Sequence, residues 1–140
     1  MAYWLFKSEP ETWGWHHQVA KGAPEQWDGV RNYAARNNMR AMKKGDLGFF
    51  YHSVKEKAVV GIVRVANEAH PDSTTDDPRW ECVDIRAMRD VPNPPTLAEI
   101  KANPKLSEMA LVRLGRLSVQ PVTPDEWREV CRMGGLNPAP

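Results

Sequence analysis

The sequence predicts an α+β domain in which a small, mostly antiparallel sheet, closed or nearly closed, is flanked by short helices. Two apolar runs, "DLGFFYHSV" and "AVVGIVRVA", are joined by the charged turn Lys55-Glu56-Lys57, which is the pattern of a hairpin. Helix-start signals recur at wide intervals, with Ser8/Glu11, Thr96/Glu99 and Thr123/Glu126 all at capping-box spacing. Neither an internal repeat nor a βαβ rhythm runs through the chain.

The first element, Tyr3 to Ser8, is short and aromatic and reads as a strand. Ser8 and Glu11, with Pro10 in the first turn, predict a helix through Trp13 to Val19, ended by Gly22 and Pro24. A second helix fits Asn32 to Lys44. Ala35, Met39 and Met42 form its apolar stripe, Asn32, Arg36, Arg40 and Lys43 a polar one, and Gly45 stops it. The two runs of the hairpin follow, the second apolar enough to be buried on both faces. "RWECVDIRAM" alternates as a further strand, and "VPNPP" carries the chain across one end of the expected barrel. A helix from Thr96, a strand from Leu117 to Val122 and a helix with Pro124 at its first position complete the chain, and Trp127, Val130 and Cys131 are the buried stripe of that last helix. His70, before Pro71 in a polar stretch, reads as a loop residue.

At 140 residues with 41% hydrophobic composition, one core suffices. Residues 1–137 are read as a single domain and 138–140 as a short tail. No apolar run approaches the ~18 residues that cross a bilayer. Lys7 and Glu9 interrupt the apolar start, so the expectation is a soluble, intracellular, cytoplasmic protein. Cys82 and Cys131 have no CxxC or Cys/His neighbourhood and read as half-buried thiols. A net charge of +1 excludes a protein that coats nucleic acid by bulk electrostatics, so an anionic partner has to be met locally. Between Val30 and Gly45 there are five cations and no acid.

Phosphate loops, HExxH pairs and GxSxG elbows are absent. Adjacent His16 and His17 do not have chelating spacing on a helix, and no metal or cofactor is expected. What stands out is "WDGVRNYAARN", where Trp27 and Tyr33 supply aromatic planes, Asn32 and Asn37 hydrogen-bonding amides, and Arg31 and Arg36 guanidinium groups, with Arg40 one turn on. "FYHS" places Phe50 and His52 on one side of a strand and Tyr51 and Ser53 on the other. Taken singly, each has a plainer reading: Ser8 and Asn32 as helix caps, Trp27 and Tyr33 as core aromatics, His52 as a core-edge histidine.

Jointly they do more. "YWLFKSEP", "WDGVRNYAARNNM", "MKKGDLGFFYHS", "VVGIVRV", "ECVDI", "TLAEIK" and "MALVRLGRLSVQPVTPDEW" resemble, in order and over nearly the whole chain, the EVE domain family of the PUA-like superfamily. The resemblance implies a PUA-like, mostly antiparallel β-barrel flanked by short helices, related to YTH domains, and a role in binding a modified base in DNA or RNA. Two departures stand out. Only "DSTTDDPR" lies between Pro71 and Trp80, where longer members carry an extended loop, and Trp13 replaces the family's usual tyrosine after "SEP".

An extruded base is read by sandwiching its face and hydrogen-bonding its edge. The expected pocket is therefore Ser8, Trp13, Trp27, Asn32, Tyr33, Asn37, His52 and Ser53, with Arg31, Arg36 and Arg40 on flanking phosphates. The protein is expected to be a non-catalytic reader and a monomer. The alternative, a small amidohydrolase acting on a modified nucleoside, would use Lys7, Ser8, Glu9 and His52, as the ASCH-type relatives of the superfamily suggest.

Overall fold

The computed structural model describes residues 1–140. Its elements are β1 (Tyr3–Ser8), α1 (Pro10–Trp13), α2 (Trp15–Lys21), β2 (Glu25–Gln26), α3 (Tyr33–Ala41), β3 (Leu47–His52), β4 (Ala58–Pro71), β5 (Glu81–Asp90), α4 (Leu97–Ala102), α5 (Ala110–Arg113), β6 (Val119–Val122) and α6 (Pro124–Met133). The strands form one mixed sheet in the order β2-β5-β4-β3-β1-β6. Only β1 and β3 run parallel, through the crossover that contains α1, α2, β2 and α3, and every other neighbouring pair is antiparallel.

The expected closure into a barrel is corrected by the pairing: no ladder joins β6 to β2. α3 lies in the gap. Asn38 donates from Nδ2 to the Val119 carbonyl on β6 at 2.8 Å, while Arg40 reaches Glu81 on β5 at 2.5 Å. A helix whose Ala35 and Met39 are wholly buried covers the edges that another ladder would otherwise have to satisfy.

Local signals hold where they stand alone. Thr96/Glu99 and Thr123/Glu126 both close as capping boxes, and Asn32 caps α3 by accepting from the Ala35 amide at 2.9 Å. They fail where the sheet competes. Ser8 belongs to β1, paired with His52, and Glu9 takes the cap position of α1. The expected first helix breaks at Gly14, whose backbone is extended and whose amide is accepted by His17 Nδ1 at 2.8 Å. α3 ends at Ala41, not Lys44, because the Lys43 amide turns to the Asp46 carboxylate. His70 is a strand residue and not a loop residue, since β4 runs on through irregular pairing to Pro71 opposite Glu81.

Alternation along the strands makes two cores, one on each face. Leu5, Phe49 and Ile62 pack with Trp127 of α6, while Phe6, Phe50 and Val63 pack with Trp27 and Met39. At Gly61 the Trp15 indole lies where a Cβ would stand, only 2.3 Å from its Cζ2, so only glycine lets α2 seat its indole on β4.

Candidate functional site

At the end of β1 the second core opens into a cleft of about 580 Å³. Its lining comes from the "KSEP" turn, from Trp13 at the end of α1, and from the segment Glu25 to Arg31 that leads into α3. Trp27 forms the floor. It is 8% exposed and held edge-on by Phe6 and Phe50, at centroid distances of 5.4 and 5.6 Å. Trp13, partly exposed, forms a wall. Its indole donates to Gln18 Oε1 at 2.9 Å, and the Gln18 amide in turn donates to the Ile85 carbonyl at 3.2 Å. The Trp13 indole nitrogen is thus satisfied within the fold.

Polar groups ring these two indoles. The Ser8 hydroxyl donates to the Trp13 carbonyl and keeps its lone pairs free to accept. Lys7 reaches the Gly115 carbonyl, and burial, helped by Lys57, lowers its pKa. Burial raises the Asp28 carboxyl, as do Asp72 and Glu25, against the opposing pull of Arg31. The cleft therefore offers aromatic surface, cations and carboxyls within one volume, in the size range of small-ligand sites.

Of the predicted residues, Ser8, Trp13, Trp27 and Arg31 meet at this cleft, and the others go elsewhere. Asn32 is spent on capping α3, and Asn37 accepts from Arg36. His52 accepts the Trp15 amide at Nε2, at 3.1 Å, and its burial, which outweighs the pull of Glu56, lowers its pKa, so it anchors the start of α2. Ser53 only bonds its amide to the Ser8 carbonyl. Tyr33 stands 51% exposed on the outer surface with Arg36, and Arg40 is paired with Glu81. Of the hydrolytic alternative, Lys7, Ser8 and Glu9 line the cleft, but Ser8 and His52 bond the backbone of Trp13 and Trp15 and not each other.

Two side chains that the sequence pattern does not single out, Asp72 and Asp28, hold or line the site. Asp72, 2% exposed, accepts from the Gly29 amide at 2.9 Å and from Arg31 at 3.1 Å, tying the short β4–β5 loop to the cleft. Gly29 has φ +77°, which is why a glycine sits at this bend. Asp28 lines the cleft itself, while Trp80 lies outside the lining, 5.5 Å from the Arg31 guanidinium. "DST" spells an Asx turn, and the Thr74 amide does bond to Asp72, so that signal was available. A hollow of about 520 Å³ between α2 and β5 is the rival cavity, but its indole, Trp15, is committed to Asp90 and to the backbone of Gly61. No group of three or more His, Cys, Asp or Glu side chains is placed to hold a metal, and no helix is long and apolar enough to cross a membrane.

The family model described as the EVE domain matches residues 2–133. A crystal structure of a protein from Agrobacterium tumefaciens superposes with a TM-score of 0.96 at 61% sequence identity, covering 100% of this chain and 99% of that one. The human THYN1 protein, solved in complex with DNA containing 5-methylcytosine, superposes with a TM-score of 0.89 at 34% identity, covering 99% of this chain and 100% of that one. Mouse thymocyte nuclear protein 1 is 36% identical over 170 residues, spanning 98% of this chain and 75% of its own length.

Proposed function

This chain belongs to the EVE domain family, and from that premise we propose that it is a non-catalytic module that takes a modified base of DNA or RNA into the Trp13/Trp27 cleft. The observation that carries the reading is the pairing of two indoles with cations and carboxyls in one cleft, in a chain that superposes throughout on a relative solved with 5-methylcytosine-containing DNA. An unstacked base needs a π-surface and edge partners. Trp13 and Trp27 are the surface. Asp28 or Glu9 would accept from an exocyclic amino group, as carboxylates do from cytosine N4, and Lys7 and Arg31 would meet the ring carbonyl or the adjoining phosphate.

The test is a thermal titration with 5-methylcytosine, 5-hydroxymethylcytosine and N6-methyladenine nucleosides beside their unmodified parents. A cognate nucleoside at about 100 times its Kd stabilises the fold by about 2.7 kcal/mol, and its parent does so visibly less. Equal shifts for modified and unmodified bases refute the reading. Chromatography of the recovered nucleosides separates reader from hydrolase, because a reader returns each unchanged.

A further inference from the structure

Beside the cleft, on the outer surface of α3, Tyr33 stacks on Trp80 with ring centroids 5.0 Å apart and planes 25° from parallel. Tyr33 sits in the first turn of α3, and Trp80 comes from the loop between β4 and β5. The two aromatics are far apart in sequence and are brought together on a surface where neither fills a core. Burial does not explain the pair, since Tyr33 is 51% exposed.

Guanidinium groups surround it. Arg36 lies 4.8 Å from the Tyr33 ring and 5.9 Å from that of Trp80, and Arg31 lies 5.5 Å from Trp80. Were Arg36 directly across Tyr33 from Trp80, its distance to Trp80 would approach the sum of the other two separations. It is far less, so Arg36 flanks the stack instead of capping it. Arg79 donates to the Tyr33 hydroxyl at 3.2 Å and so holds the ring in place.

The charges differ in kind. Arg31, Arg40 and Arg79 each pair with a carboxylate, Asp72, Glu81 and Asp77 respectively. Arg36 does not: its partners are the Arg79 carbonyl and the Asn37 amide oxygen, both neutral. One uncompensated guanidinium beside an exposed aromatic stack is complementary to a nucleotide, which brings a phosphate and a π-face together. Arg31 links the two places, because it lines the cleft and also lies over Trp80.

We propose that Tyr33, Trp80 and Arg36 form a second nucleic-acid contact, a shelf on which the nucleotide next to the base in the cleft stacks, its phosphate on Arg36. The occupant is an unpaired strand, since a paired neighbour keeps its faces inside the duplex. The proposal rests on the cleft being the base site. It deepens that reading by making the ligand a short single strand or a locally opened duplex, and not a lone nucleoside.

The experiment compares two probes: a nine-nucleotide single strand carrying one modified base, and the matching free nucleoside. Tyr33→Ala lowers strand affinity at least about fivefold, the lower end of a base–aromatic stack, and leaves nucleoside affinity unchanged. Tyr33→Phe, which keeps the ring, retains wild-type strand binding. Arg36→Gln, on the exposed side of α3, reduces the slope of log affinity against log salt by about one. If both Tyr33→Ala and Arg36→Gln bind the strand as the wild type does, the shelf is refuted while the cleft stands. If Tyr33→Ala weakens nucleoside and strand alike, the ring belongs to the base site and the shelf is again refuted. If wild-type protein binds neither probe, the cleft reading falls and the shelf falls with it.

Discussion

Leu5 and Phe6 are neighbours on β1 and go to opposite faces of the sheet, Leu5 to the core around Trp127 and Phe6 to the core that meets Trp27. The two tryptophans are used differently. Trp127 is wholly buried, lies flat between Tyr3 at 4.5 Å and Phe49 at 4.0 Å, and donates its indole proton to the Pro140 carbonyl. Trp27 keeps 8% of its surface, touches Phe6 and Phe50 edge-on, and reaches the cleft. One face of the sheet is closed by α6, whereas the other is left open at its rim, where a single ring, Trp27, both packs in the core and lines the cleft.

That contrast can be broken by truncating each tryptophan. Trp127→Ala should cost about 3–5 kcal/mol in urea denaturation, as large-to-small changes at a filled core position do, with the Kd of the folded fraction unchanged. Trp27→Ala should cost stability of the same order and weaken the modified nucleoside by a further ~1–3 kcal/mol. If Trp127→Ala shifted the Kd as much as Trp27→Ala, the two faces would not be separable.

How far the sequence reveals this division follows from the range of the forces involved. α4 and α6 are legible because a capping box is closed within four residues, and α3 because its apolar stripe survives any neighbour. The start of the first helix is misread because Ser8, a good cap in isolation, is taken by the ladder with β3. Barrel closure is not legible at all. Whether β6 meets β2 depends on what fills the gap, and α3 fills it through Asn38 and Arg40, whose partners lie 81 and 41 residues away. The same applies to the site. The cleft-lining Ser8, Trp13, Trp27 and Arg31 lie in two blocks that stand out in the sequence, whereas Asp72, although "DST" marks its turn, gives no local sign that it reaches Gly29 and Arg31, 43 and 41 residues away. Tyr33 and Arg36 were legible as nucleic-acid-like side chains but not as belonging to a different surface from Trp27, because that depends on which way α3 is turned.

A second test concerns the tie between loop and cleft. Burial pushes the Asp72 carboxyl up, but the hydrogen bonds from Thr74, Gly29 and Arg31 outweigh it and hold it at about 2. Its folded value is depressed, so its contribution is complete above the ordinary value of 3.8 and is lost as pH falls through about 2. Asp72→Asn should therefore cost roughly 1.5–3 kcal/mol at neutral pH and release Arg31 from its partner. Ligand affinity should fall with it, since the Gly29 bend is held by the same carboxylate. Asp84→Asn, on the same hairpin but outside the cleft's lining and bonded to Asn67 and His70, should leave affinity intact. Equal losses of affinity in the two variants would show that the hairpin as a whole, and not Asp72, shapes the site.

The smallest effect is the most diagnostic of how the two ends of the sheet are built, because their histidines titrate in opposite senses. His70, at the far end of β4, has Nε2 2.7 Å from Asp84 and Nδ1 3.0 Å from the Pro71 carbonyl. Both neighbours are acceptors, so the ring is best satisfied when both nitrogens carry protons. Burial lowers its pKa, but these two bonds overcome it and the net shift is upward. Its contribution is complete below the ordinary value of 6.5 and is lost as pH rises through the folded value above it. His52 accepts the Trp15 amide and must be neutral to do so, and its folded value is depressed. Its contribution is complete above 6.5 and is lost as pH falls through the folded value below it. The wild-type Tm should vary little across this range because the two oppose each other, and single variants should unmask them. His52→Gln, whose amide oxygen can still accept from Trp15, should leave a Tm that falls between pH 6 and pH 8. His70→Gln should leave one that rises between pH 5 and pH 7. Both rings are partly in solvent, so the shifts are small, and it is their opposite sign that matters. Slopes of the same sign in the two variants would mean that one of these hydrogen-bond assignments is wrong, and the one at His52 is the more consequential because it seats α2, whose Gln18 holds the Trp13 indole at the cleft.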